Sequence, residues 1–91
     1  MRVRSKDEDA LTIRLIVLYF AHAREIAGVS RESISLTTNS TLGELITKIG
    51  TIHPRLLELD FRVAVNRRVV GKRLHLKDGD EIAFLPPVTG G

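Results

Sequence analysis

The sequence predicts an α+β domain in which one main helix packs on a face of a mixed β-sheet. Three observations carry that prediction. Strand-like and helix-periodic segments follow one another as strand, short helix, strand, main helix, strand, short strand, strand. One long apolar stripe, Leu42, Leu45, Ile46, Ile49 and Ile52, recurs at helical spacing and marks the main helix. The 91 residues suffice for one modest core and not for two, so helix and sheet must share it.

Taken in order, residues 1–10 mix both signs of charge without periodicity and read as a flexible arm. Asp7, Glu8 and Asp9 argue against an organelle presequence, which is poor in acids. Leu11 to Phe20 is β-branched and aromatic-rich, and beyond Arg14 it is apolar on both faces, which predicts a middle strand covered on both sides. Ala21 to Gly28 reads as a short helix closed by Gly28, with Arg24 facing outward. Arg31 to Leu36 alternates as a half-exposed strand and should pair antiparallel to the first.

Thr41-Leu42-Gly43-Glu44 is a capping box, so the main helix starts there, and Pro54 stops it by disfavouring helix at His53. Arg55 to Asp60 is read as a loop. Phe61 to Val65 alternates like a strand, Asn66-Arg67-Arg68 supplies a turn, and Val69-Val70 returns as a short strand. Asp78-Gly79 signals a turn before the last strand, Glu81 to Leu85. Residues 11–85 therefore form the folded domain and 86–91 an extended tail.

Composition excludes much. There is no cysteine, so no disulfide, thiolate metal site or catalytic thiol is available. No apolar run approaches the ~20 residues of a membrane span, which predicts a cytoplasmic protein with no membrane contact. His22, His53 and His75 share no ligand spacing, and no nucleophile-elbow or phosphate-binding glycine motif is present. The net charge of +3 includes a basic cluster, Arg67, Arg68, Lys72 and Arg73, that suits an acidic protein or RNA. Aromatic residues are not interleaved with it, which argues against nucleic acid.

The feature left is the C-terminal end. Pro86 and Pro87 have no N–H for a sheet ladder, so they end the last strand and launch the tail outward. An extended chain from Pro86 to Gly91 reaches about 20 Å, enough to carry a carboxylate into a partner's cleft. Gly90 and Gly91 lack Cβ atoms, so the tip is thin. A carboxylate is a poor electrophile until a partner converts it to a mixed anhydride. Sulfur as the nucleophile then gives a thiocarboxylate, and a lysine amine gives a protein conjugate.

These motifs together resemble the ubiquitin-like sulfur carriers of MoaD/ThiS type, to which the small subunit of molybdopterin synthase belongs. The resemblance rests on Val17-Leu18-Tyr19-Phe20-Ala21, Arg24-Glu25-Ile26-Ala27-Gly28, the capped helix closing at His53-Pro54, Val63-Ala64-Val65-Asn66, and the run from Asp78 to Gly91 with its Pro-Pro-Val-Thr-Gly-Gly end. It implies a β-grasp fold and a mechanism. An adenylyltransferase of the ubiquitin-activating type would use ATP to adenylate Gly91, and a persulfide donor would convert it to the thiocarboxylate. The tail would then enter the large synthase subunit and give sulfur to cyclic pyranopterin monophosphate.

By the same resemblance this chain binds no cofactor or metal, leaves the catalytic pocket to the large subunit, and assembles with it as a heterotetramer. Docking residues carried over position by position are Phe20, Arg24, Val69 and Leu85, followed by the tail residues Pro86, Pro87, Val88 and Thr89. The basic hairpin departs from the family, whose members often place an acid after Val-Asn. The alternatives are a protein modifier joined to lysines through Gly91, a sulfur carrier for thiazole or tRNA thiolation, and an RNA-binding module using the basic cluster.

Overall fold

The structure, a computed structural model, describes residues 11–86. The arm expected over 1–10 and the tail residues Pro87, Val88, Thr89, Gly90 and Gly91 lie outside them. The elements are β1 (Thr12–Tyr19), α1 (Ala21–Ala27), β2 (Arg31–Thr37), α2 (Leu42–Ile52), a 3-10 helix (Pro54–Glu58), β3 (Arg62–Val65), β4 (Arg68–Val69) and β5 (Glu81–Leu85). They form one five-stranded sheet in the order β2-β1-β5-β3-β4. β1 pairs antiparallel with β2 and parallel with β5, while β3 is antiparallel to both β4 and β5. With α2 packed on one face, this mixed sheet is the β-grasp fold.

The core lies between that face and the helix. Alternation sends Leu15, Val17 and Tyr19 of β1 and Ile82 and Phe84 of β5 inward, where they meet Leu42, Leu45, Ile49 and Leu56. Each of these side chains is almost fully buried, which stabilises the fold by about 1.5–3 kcal/mol per residue relative to exposure. Ile52 ends the helical stripe but is 45% exposed, so the stripe that packs is one turn shorter than the sequence predicts.

The N-terminus of α2 leaves none of its first N–H groups orphaned. Thr41 Oγ1 accepts from Glu44 N at 3.2 Å, and Glu44 Oε1 accepts from Thr41 N at 3.0 Å, so both halves of the capping box form. The N–H groups of Leu42 and Gly43 donate to the carbonyls of Leu74 and Lys72 at 2.9 Å each, tying the loop after β4 onto the helix. Pro54 then ends the helix as expected, but residues 54–58 are not the loop that the sequence suggests. Proline suits the first turn of a helix, and a tight 3-10 turn brings Leu56 N to His53 O at 2.9 Å while burying Leu56 completely.

Two further departures have local causes. The β3–β4 turn is two residues, Asn66 and Arg67, with φ of +50° and +72°, so Arg68 belongs to β4 rather than to the turn. Positive φ at both positions is what the twist of a two-residue hairpin requires. β1 is interior but not the middle strand, a place taken by β5, and it is not covered on both sides: Ile16 and Leu18 on its outer face are only half-buried, and no helix of the described residues lies over them.

Across the core from that outer face, a polar cluster ties β1, β2 and the end of α2 together. The Tyr19 hydroxyl donates to Glu32 Oε2, which also accepts from His53 Nε2 at 2.8 Å. The Tyr19 and His53 rings meet edge to face with centroids 5.7 Å apart. Burial raises the Tyr19 phenol well above its usual range, and the hydrogen bond and negative charge of Glu32 push the same way. His53, given no role from sequence, is thus a structural partner.

Candidate partner-docking site

The uncovered sheet face gains its character from register. Pairing aligns Leu18 of β1 with Ala83 of β5, Ala83 with Ala64 of β3, and Ala64 with Val69 of β4. Side chains at one level of a sheet share a face, so these four make an apolar row across four strands. Two small alanines in its middle keep the floor low, and the result is a depression of about 380 Å³. Phe20 and Leu85 wall it on the side where the C-terminal segment leaves the sheet, and Arg67 and Glu81 stand at its edge.

Phe20 and Leu85 are neighbours because Tyr19 pairs with Phe84, which sets the next residue of each strand side by side. Phe20 is the residue that caps α1 and is 44% exposed, so it is not core. Behind this pair lies a second hollow of about 320 Å³, bordered by Ala21, His22, Phe61 and Pro86. Phe20 and Leu85 line both hollows and form the ridge between them. Phe61 is anchored there by Phe84, centroid to centroid 4.7 Å. Ala21 beside the ridge has φ of +50°, a conformation rarely held by a residue with a Cβ.

Three of the docking residues expected from sequence, Phe20, Val69 and Leu85, therefore come together on one apolar surface, and Pro86 sits at its end. Arg24 does not join them in either hollow. It is exposed in the last turn of α1, where its charge favours the negative end of the helix dipole, and its carbonyl accepts from Gly28 N at 2.9 Å. Sequence reasoning missed Leu18, Ala64, Ala83 and Phe61. The signal for Leu18 was present as apolarity on both faces of β1; the alanines gave none.

Among the described residues no group of His, Cys, Asp or Glu is arranged to hold a metal, and no helix is long and apolar enough to cross a membrane. No buried side-chain N or O there lacks a hydrogen-bond partner, so the polar interior is satisfied.

The ThiS family model matches residues 17–91. The molybdopterin synthase sulfur carrier subunit of Homo sapiens is 40% identical over 80 residues, covering 82% of this chain and 91% of the human one. Among solved structures, a protein described as molybdopterin converting factor subunit 1 from Pyrococcus furiosus superposes with a TM-score of 0.80 at 35% identity, over 84% of this chain and 99% of that one. A chain of the complex of subunits 1 and 2 of the molybdopterin-converting factor from Helicobacter pylori gives 0.63 at 26% identity, over 87% and 100%. A β-grasp sheet with an apolar outer face, a C-terminal segment leaving from beside it, and relatives of this identity across nearly their whole length lead to one assignment: the chain belongs to the ThiS family, among the molybdopterin synthase sulfur carrier subunits.

Proposed function

We propose that this chain carries sulfur on its C-terminal carboxylate. A partner enzyme joins the Gly91 carboxylate to the AMP portion of ATP, releasing pyrophosphate. A persulfide on a donor protein then attacks the acyl carbon and expels AMP, and a thiol reductant cleaves the S–S bond to leave the thiocarboxylate. Because this chain has no cysteine, both the persulfide and the reducing thiol come from partners. Inside the large synthase subunit the thiocarboxylate sulfur displaces an oxygen substituent from a carbon of cyclic pyranopterin monophosphate, forming a C–S bond as a C–O bond breaks. Water then cleaves the thioester, leaving the sulfur on the pterin and returning Gly91 to a carboxylate.

The observation that carries the reading is the apolar row Leu18, Ala83, Ala64 and Val69, walled by Phe20 and Leu85 and ending at Pro86. A partner seated on it receives the tail from a fixed point, which favours delivery into a cleft over random search. Two such chains on a dimer of large subunits is the assembly we propose, with Val69, Leu85 and Phe20 in the contact.

Intact mass after incubation with ATP, activating enzyme and persulfide donor tests the chemistry. Replacement of one oxygen by sulfur, localised to Gly91, is expected, and one residue added after Gly91 should abolish it. Sulfur loading on the extended chain would refute the reading. Lysine conjugates without sulfur loading would favour the protein modifier.

A further inference from the structure

We infer that the β3–β4 hairpin and the loop behind it form a cationic dock for an acidic surface of the large subunit, extending the apolar contact past Val69. This inference rests on the sulfur-carrier reading above. Residues 62–77 hold Arg62, Arg67, Arg68, Lys72, Arg73 and Lys77 and no acid. Among the described residues, none of these cations forms an ion pair.

The nearest acids are already engaged. Asp78 Oδ1 accepts from Arg14 N at 2.7 Å, and Asp80 accepts from Asn66 Nδ2 at 2.9 Å and from Lys77 N at 2.8 Å. Glu81 stands beside the turn, its carbonyl accepting from Asn66 N at 2.8 Å, and it lines the apolar depression with Arg67, yet among the described residues it forms no ion pair with that guanidinium. Stability does not account for the cluster either. Lys72 lies where its carbonyl caps Gly43 N, at the positive end of the α2 dipole, so a cation there gains nothing from the helix. Arg67 holds φ of +72°, where glycine or asparagine is the easier residue.

The shape of the surface selects protein over nucleic acid. Val69, 56% exposed, is the ridge between the apolar depression, edged by Arg67, and a shallower one edged by Arg68, His75 and Lys77. Leu74, also exposed, lines the second. Apolar ridges between cations fit a surface that offers both carboxylates and apolar side chains. Bases have no large stacking platform there, because no Phe, Tyr or Trp occurs between 62 and 77. The loop presents its charges from a fixed frame, since the carbonyls of Lys72 and Leu74 are bonded to α2 and Leu76 N donates to Ser40 O at 2.8 Å. Rigid, unpaired charge of one sign next to an apolar contact is the arrangement that accelerates encounter and rejects a like-charged partner.

The experiment measures association of the full chain with the large subunit from the same source across a salt series. A combined variant, Arg67→Gly, Arg68→Gln, Lys72→Gln and Arg73→Gln, provides the comparison. Between about 50 and 500 mM salt the wild-type association rate should fall at least about tenfold, as the screening length shortens. The variant should associate about tenfold more slowly at low salt, with a flatter salt dependence and no lower Tm. Binding that ignores salt, or a variant as fast as wild type, overturns the inference and leaves the sulfur-carrier reading standing. No binding at any salt overturns both. Capture of an oligouridine strand by wild type but not by the variant overturns the inference in favour of RNA. Should the variant fail to fold, the wild-type salt series alone decides.

Discussion

Replacing Tyr19 with phenylalanine removes one hydroxyl from the middle of the fold and changes little else, because the ring keeps its contacts with Phe84 and His53. The lost bond is one to a carboxylate, a class that contributes about 1.5–3 kcal/mol. Glu32 keeps His53 Nε2 at 2.8 Å, so it is not left bare and the lower end applies, about 1.5 kcal/mol near neutral pH. For a domain of this size that lowers Tm by about 6–12 °C. The pH dependence is more diagnostic. Tyr19 is held neutral in the folded state, its ionisation raised above the unfolded value of about 10. Its contribution is therefore complete below about pH 10 and falls as pH rises from there toward the raised folded value. Above pH 10 the unfolded chain gains about 1.4 kcal/mol per pH unit from ionising Tyr19, while the folded chain does not. The advantage of wild type over Tyr19→Phe should thus hold steady to about pH 9.5 and nearly vanish by about pH 11. Urea unfolding of both proteins measures the gap. With one tyrosine and no tryptophan in the chain, tyrosinate absorbance reports on Tyr19 alone. Tyrosinate appearing near pH 10 in still-folded protein, or a gap that stays constant to pH 11, would refute the reasoning.

Thr41→Ala should lower stability by about 1 kcal/mol, seen as a shift of the urea midpoint at unchanged slope, since both bonds of the capping box depend on that side chain or its neighbour Glu44. Arg67→Gly should raise stability by about 1 kcal/mol by relieving the positive φ, and a thermal melt no higher than wild type would count against the turn geometry. Phe20→Asp should leave stability within about 0.5 kcal/mol, because the side chain is 44% exposed, yet weaken binding to the large subunit by at least about tenfold; calorimetric titration separates the two effects.

What the sequence made legible was whatever is decided locally. Thr41 and Glu44 are three residues apart and settle the start of α2 between themselves, and Pro54 ends that helix by its own ring. What it hid was decided by distant partners. Nothing local says that β5 inserts between β1 and β3, and that placement is what aligns Leu18, Ala83, Ala64 and Val69. Reading β1 as covered on both faces treated Ile16 and Leu18 as core. Their apolarity belongs instead to a face that no element of the described chain covers. Arg24, carried over by likeness, lies outside both hollows and stands exposed in the last turn of α1, a position that periodicity alone made legible.

The position of β5 also decides how the molecule bears a pull. The strand that leads to the tail is interior to the sheet, with β1 parallel on one side and β3 antiparallel on the other, and it is keyed from below by Ile82 and Phe84. Because β1 and β5 are parallel neighbours, tension between the two ends of the domain slides them past each other and loads their hydrogen bonds together. An edge strand would instead unzip one bond at a time. A partner can therefore tug and thread the C-terminal segment against an anchor that yields only when the whole sheet does.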